Sequence, residues 1–216
     1  MFQKCLHLLF PPKCVLCRKL LTEEETDLCH SCRKDAPKFK NSHLRFSFVA
    51  GWTAVWYYKD TVRSSIRRFK FGNRRHYAKA YARELAVKLE KEGFLDFDIL
   101  TYVPVTFLRK LYRGYDQVAL ISAALAEELG VTTVVALKKI RHTPPQSGIR
   151  EVARRRANVL GAYNCLCPQE IKGKRILLLD DVITTGATIS ECARVFMTVG
   201  AKDVFCACVA VADYKK

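Results

Sequence analysis

Long apolar runs are the first thing this sequence lacks. No stretch approaches the roughly 20 residues needed to cross a bilayer. The short apolar patch before Pro11-Pro12 has neither the length nor the small-residue cleavage site of a secretory signal. A soluble, cytoplasmic chain with no membrane span is the expectation. Acidic residues are also scarce: 37 Lys and Arg face 21 Asp and Glu, a formal net charge of +16. The imbalance is concentrated in residues 1–75, where 16 Lys and Arg stand against 6 Asp and Glu. Such an excess points to polyanionic partners, whether nucleic acid, phosphorylated metabolites or an anionic surface. A basic solvated face with no partner is the plain alternative. Internal repeats and low-complexity tracts are absent. With 50% hydrophobic and 27% charged residues, the 216-residue chain suits one sizeable core plus a small accessory module.

Cysteine is not scarce. Without a secretory signal, the ten cysteines do not predict a disulfide framework. Four stand as Cys14-x2-Cys17-x11-Cys29-x2-Cys32. Each Cys-x2-Cys pair can place both sulfurs on one ion, and two pairs complete a tetrahedral, structural Zn2+ site. The interval of 11 is shorter than common four-cysteine spacings and gives a compact knuckle. Residues 1–40 hold too little apolar mass to fold alone, so the metal would supply that stability. Two redox Cys-x2-Cys motifs are the competing reading, but neither lies in a thioredoxin-like βαβ context. Cys5 and His7 are alternative ligands. Cys165, Cys167, Cys192, Cys206 and Cys208 lie in apolar or strand contexts that favour packing as small hydrophobes.

Three regions follow from composition. Residues 1–40 read as the zinc-binding module. Residues 41–75 read as a basic, aromatic connecting segment packed on the core, with Trp52, Trp56 and Tyr58 alternating as in a strand with one buried face. Asp60 can cap a short helix bearing Val62, Ile66 and Phe69 on one side. From residue 76 to 216, helices alternate with strands. Helices are predicted over 77–92, 117–129 and 189–199, closed by Gly93, Gly130 and Gly200. Strands are predicted over 98–103, 133–137, 175–179 and 204–211. The alternation implies an α/β fold, a mostly parallel sheet flanked by helices. Residues 141–159 have no clean period and hold Pro144-Pro145 and Gly148, which predicts a long functional loop.

The sharpest motif follows the apolar strand Ile176-Leu177-Leu178-Leu179. It reads Asp180-Asp181, Val182-Ile183, Thr184-Thr185-Gly186-Ala187-Thr188, then a helix. The strand would fix this segment at the carboxyl edge of the sheet, where open α/β folds bind ligands. Two adjacent carboxylates are poor core residues but suit a pair of ribose hydroxyls. They also lie close enough to perturb each other's ionisation. Thr184–Thr188 offers consecutive N–H groups, hydroxyls and a glycine at a helix N-terminus, a cradle for a phosphate dianion. No Lys follows Gly186, which excludes a Walker A loop.

This segment resembles the signature of the type I phosphoribosyltransferases. The resemblance implies that Asp180 and Asp181 are the catalytic acid pair and hold the ribose of phosphoribosyl diphosphate. It implies that Thr184, Thr185, Gly186, Ala187 and Thr188 hold the 5-phosphate, and that Mg2+ bridges the ligand's diphosphate and ribose oxygens. In that chemistry pyrophosphate leaves through an oxocarbenium-like state, which needs charge stabilisation on the leaving group. Val105 and Thr106, just past a strand, could offer N–H groups to the diphosphate. Arg109 and Arg113, four apart, share a helix face. Arg150, Arg154, Arg155 or Arg156 could close over the site from the long loop.

A four-cysteine knuckle ahead of such a domain narrows the resemblance. So do Val103-Pro104-Val105 with Arg113-Gly114-Tyr115-Asp116-Gln117, then Thr143-Pro144-Pro145-Gln146-Ser147-Gly148, then Arg155-Arg156-Ala157-Asn158-Val159. Together they resemble the ComF family from Cys14 to about Val211. One departure is Asp116, where the family more often has Asn. The resemblance implies cytoplasmic handling of incoming single-stranded DNA in natural transformation, beside a helicase-like partner, with an acceptor for phosphoribosyl transfer that the family does not fix. The basic N-terminal segment and its aromatics would contact that DNA, core packing being the other use for those rings. Two further readings stay open: a Mg2+-dependent phosphoribosyltransferase of nucleotide salvage or synthesis, and a non-catalytic regulator that senses phosphoribosyl diphosphate. Oligomeric state is left open.

Overall fold

Four parallel strands, each too apolar to face water, set the architecture. The computed structural model describes residues 11–40, 44–141 and 159–212. In chain order the elements are α1 (His30–Asp35), β1 (Gly51–Tyr57), α2 (Asp60–Phe71), α3 (Tyr77–Glu92), β2 (Ile99–Tyr102), α4 (Phe107–Arg113), α5 (Gln117–Leu129), β3 (Leu137–Lys139), β4 (Tyr163–Cys165), α6 (Pro168–Ile171), β5 (Arg175–Ile183), α7 (Ala187–Thr198) and β6 (Asp203–Val211). The main sheet runs β1-β6-β5-β2, all parallel, and β3 pairs with β4 in a separate antiparallel ribbon.

Both faces of the sheet are covered, as parallel sheets require. Leu177 and Leu179 of β5 and Val209 of β6 pack with α2, α3, α5 and the cysteine-rich segment. Ile176 and Leu178 of β5 and Cys206 and Cys208 of β6 pack with α7 and the β3–β4 ribbon. The alternation is the two-residue period of a strand. Residues 53–56 of β1 are all buried, so this strand too is enclosed on both faces rather than one. The segment 41–75 thus contributes an edge strand and the helix α2 to the core.

Helices α3 and α5 span the residues that their apolar spacing predicts, each closed by a glycine in the left-handed region (Gly93, φ 73°; Gly130, φ 68°). At α2 the cap position falls on Lys59, and Asp60 opens the helix with φ 48°. Two strands differ from expectation. The predicted strand over 133–137 is realised as a single parallel bridge, Thr133 to Leu100, with β3 beginning at Leu137. Strand β5 continues through both acids to Ile183, because β6 still pairs alongside: Asp180 opposite Cys208, Val182 opposite Ala210. Among the described residues, no helix is long and apolar enough to cross a membrane.

Candidate phosphoribosyl site and zinc ribbon

Strand alternation sends the two carboxylates to opposite faces. Asp181 points toward α2 and α5 and is 6% exposed. Its Oδ1 accepts from Lys70 Nζ at 2.9 Å and its Oδ2 from Gln117 Nε2 at 2.8 Å. Burial pushes this carboxyl up. The Lys70 ammonium, the hydrogen bonds from Lys70 and Gln117, and the Arg113 guanidinium outweigh burial and hold it below the usual range. Asp180, half-buried, accepts the Asp181 N–H at 2.8 Å. Burial first, and the Asp181 charge second, push it up to about 8. The pair therefore holds one firm anion and one carboxyl pushed toward its neutral form.

The loop after β5 turns at Gly186, whose φ of 73° is left-handed and which occupies the cap position of α7. A Cβ here would clash with the Cδ1–Cε1 edge of the Phe46 ring, which lies against the loop. Phe46 is held in turn by Trp52, ring centroids 4.9 Å apart, and Trp52 Nε1 donates to Leu44 O at 2.9 Å. Within this loop the Thr185 hydroxyl is buried with no hydrogen-bond partner among the described residues. Gln117 Oε1, on the amide that donates to Asp181, is likewise buried without a donor. Unpaired buried polar atoms are rare in folded proteins and call for an explanation such as a ligand.

The loop between β2 and α4 is tied down by Asp116. Its Oδ2 accepts the Val105 N–H at 3.1 Å, and its Oδ1 accepts the Val118 and Ala119 N–H groups at 3.0 and 3.1 Å as the cap of α5. Three N–H donors suit a carboxylate, which accounts for an acid at this position. Val105 N–H is therefore already engaged, and Thr106 caps α4, accepting from Arg109 N at 3.4 Å. Arg109 and Arg113 lie on α4, which buries none of its residues. Arg113 stacks 5.0 Å over Phe71, and its charge acts on Asp181. Lys139, 5.1 Å over the Tyr163 ring, lies in the fields of Arg109 and Asp180; burial first and the Arg109 charge second bring it down to about 8, against the opposing pull of Asp180. Arg150, Arg154, Arg155 and Arg156, the stretch 143–148, Cys5 and His7 lie outside the described residues.

The sequence alone assigns no role in the site to Lys70, Gln117, Phe46 or Asp116. Gln117 and Asp116 fall in the Arg113–Gln117 stretch used for the resemblance, so that stretch was the available signal. Lys70 lies 111 residues from Asp181 and carried none.

The thiols of Cys14, Cys17, Cys29 and Cys32 form one cluster, all within 4.8 Å of one another. Four soft sulfurs at this spacing fit a tetrahedral Zn2+. The first pair sits in a turn closed by the Lys13–Leu20 bridge, with Arg18 at φ 72° and the Lys19 N–H aimed at Cys17 Sγ, 3.5 Å away. The second pair starts α1, with Cys29 at its cap position. Cys192, Cys206 and Cys208 are fully buried, and burial pushes their thiols well up, as expected for packing residues.

A ribbon of four thiols docked on a parallel sheet, with an acid pair leading into a glycine-turned helix N-terminus, defines the class. The family described as Phosphoribosyl transferase domain matches residues 118–216, and the one described as Double zinc ribbon domain matches residues 5–43. Competence protein F of Haemophilus influenzae is 27% identical over 215 residues, covering 89% of this chain and 93% of that protein. Competence protein ComFC of Streptococcus pneumoniae is 30% identical over 156 residues, 70% of this chain and 64% of that protein. DNA utilization protein YhgH of Escherichia coli K12 is 26% identical over 209 residues, 90% of this chain and 89% of that protein. The chain belongs to the ComF family, with an N-terminal zinc module.

Proposed function

We propose that this chain is a DNA-uptake protein of the competence type that binds phosphoribosyl diphosphate at the carboxyl edge of its sheet and acts on single-stranded DNA in the cytoplasm beside a helicase-like partner. The observation that carries the ligand is the β5–α7 junction, where the acid pair meets a glycine-only turn holding the orphaned Thr185 hydroxyl. In this reading Thr184, Thr185, Gly186, Ala187 and Thr188 take the 5-phosphate at the positive end of α7. Asp180 and the unpaired Gln117 oxygen accept from ribose hydroxyls, while Asp181 is held in place by Lys70 and Gln117. Arg109 and Arg113 face the diphosphate, and Val105 and Thr106 line its approach. Mg2+ comes with the ligand, held by its oxygens and by water, and supplies charge neutralisation on the diphosphate. The chain is read as a zinc module over 1–40, a basic aromatic segment over 41–75 that lends β1 and α2 to the core, and a transferase-like domain over 76–216.

Phe107 and Tyr112 of α4 are 76% and 83% exposed, whereas Trp56 and Phe69 are buried. The most exposed rings therefore lie on α4, among Arg109, Lys110 and Arg113 and with no acid in the helix, with Phe48 and Phe71 of the 41–75 segment also exposed. Rings interleaved with cations suit a single strand, bases stacking and phosphates pairing. A sensor that binds without transfer is the second reading, favoured because Val105 N–H and both Asp181 oxygens already have protein partners.

Calorimetry with phosphoribosyl diphosphate and Mg2+ tests the site: binding by the native chain, and loss of binding in the Asp180→Asn/Asp181→Asn variant with the fold retained, are expected. Unchanged affinity in that variant would remove the site assignment. Pyrophosphate release with and without single-stranded DNA separates transfer from sensing.

A further inference from the structure

We infer that Ser65 and Arg68 are positioning residues that make the zinc ribbon a working part of the phosphoribosyl site, through the helix α2. The inference rests on the ligand site proposed above, and it adds to that site a dependence on the metal.

One 12-residue helix touches both places. Ser65 and Arg68, three apart on α2, share a side. Ser65 Oγ donates to Val15 O at 2.5 Å and shares a second hydrogen bond of 2.6 Å with the Tyr81 hydroxyl. Arg68 donates from one nitrogen to Val15 O at 3.1 Å and Leu16 O at 2.5 Å. Val15 and Leu16 are the two residues between Cys14 and Cys17, so their carbonyls belong to the metal-binding turn itself. Two residues beyond Arg68, Lys70 holds Asp181. Between them, Phe69 O accepts from the Tyr115 hydroxyl, the residue next to the Asp116 cap.

These contacts have a direction. The turn at Cys14–Cys17 is closed by hydrogen bonds from Cys14 N–H to Lys19 O and from Arg18 N–H to Cys14 O, and Val15 and Leu16 are buried in the core, but the four clustered thiolates repel one another and need a metal to stay together. If that turn opens, the two carbonyls leave. Arg68, half-buried and with its Nε already without a partner, then loses both acceptors of its donating nitrogen. Re-seating that cation loosens the last turn of the helix, and Lys70 moves with it. Asp181 loses its cation and the site its electrostatic balance. By linkage the effect runs both ways: a ligand that needs Lys70 in place must also slow loss of the metal.

The test uses the full chain loaded with zinc. Arg68→Met keeps all four thiolates and cuts only the contact to the turn. Its affinity for phosphoribosyl diphosphate, by calorimetry, is expected to fall roughly 5- to 100-fold, the range of ordinary site-to-site coupling. Arg68→Lys should recover part of it. The same Arg68→Met change in a Lys70→Met background should cost nothing further, since the link acts through Lys70. Saturating ligand should slow zinc release to a chelator in the native chain but not in Lys70→Met. Unchanged affinity in Arg68→Met overturns the inference, and so does a loss of equal size in both backgrounds. Should the native chain not bind phosphoribosyl diphosphate, the site reading fails separately. Amide exchange then decides the coupling: faster exchange over residues 66–71 on zinc removal supports it, and unchanged exchange overturns it.

Discussion

The two acids of the motif are neighbours in sequence and opposites in environment. Asp181 faces α2 and α5, with a lysine and a glutamine on its two oxygens. Asp180 faces α7 and the β3–β4 ribbon, within the fields of Lys139 and the buried Cys192, and its carboxyl is pushed up to about 8. One side of β5 is a finished ion pair; the other is a carboxyl held toward its neutral form. A doubled acid motif is thus a division of labour, one residue anchoring the strand end and the other left to respond to what arrives.

Removing Lys70 breaks this contrast most strongly. Lys70→Met leaves Asp181 buried without its cation and with only the Gln117 hydrogen bond, a loss of roughly 3–5 kcal/mol for a broken buried pair. Urea denaturation should show it, and a loss under 1 kcal/mol would mean that Asp181 is less committed than its hydrogen bonds indicate. Gly186→Ala attacks the turn between the two sides. The left-handed backbone alone costs roughly 1–3 kcal/mol, and the Phe46 ring must also retreat. Phe46→Ala combined with Gly186→Ala should recover the steric part and not the backbone part. Full recovery would show that φ is not the constraint.

A pH dependence marks the Asp180 side. Its folded value of about 8 lies above the ordinary aspartate value near 4. Between these pH values the folded state binds more protons than the unfolded one, so this group's contribution to stability falls as pH rises and is at its least above pH 8. Asp180→Asn removes the titration. The Tm of the variant minus that of the native chain should therefore be larger at pH 9 than at pH 5, by several degrees. Equal differences at the two pH values would contradict the environment described for Asp180.

What the sequence made legible was local. The Cys14–Cys32 spacing, the acid pair with its threonine-glycine loop, and helices ended by Gly93 and Gly130 each lie within one short window, where spacing and chemistry act together. The partners of Asp181 were not legible, because Lys70 and Gln117 reach it across 111 and 64 residues. The length of β5 was missed for a related reason. Two acids look like a strand end, yet continued pairing with β6 carries the backbone through them. Trp52, Trp56 and Tyr58 read as a strand with one buried face, and nothing local says that β1 lies against β6 and is covered on both.

That last pairing bears on how the chain is built in time. In the order β1-β6-β5-β2, neither of the first two strands has its neighbour until β5 and β6 have been synthesised. Thr53 of β1 and Cys208 of β6, in contact across the sheet, are 155 residues apart. The sheet can therefore assemble only late, and its apolar strands wait exposed in the meantime, a period in which aggregation competes with folding. The four thiols from Cys14 to Cys32 leave the ribosome early and need nothing downstream to close on a metal. The ribbon can be finished first and stand ready for α2, the first long helix to follow it.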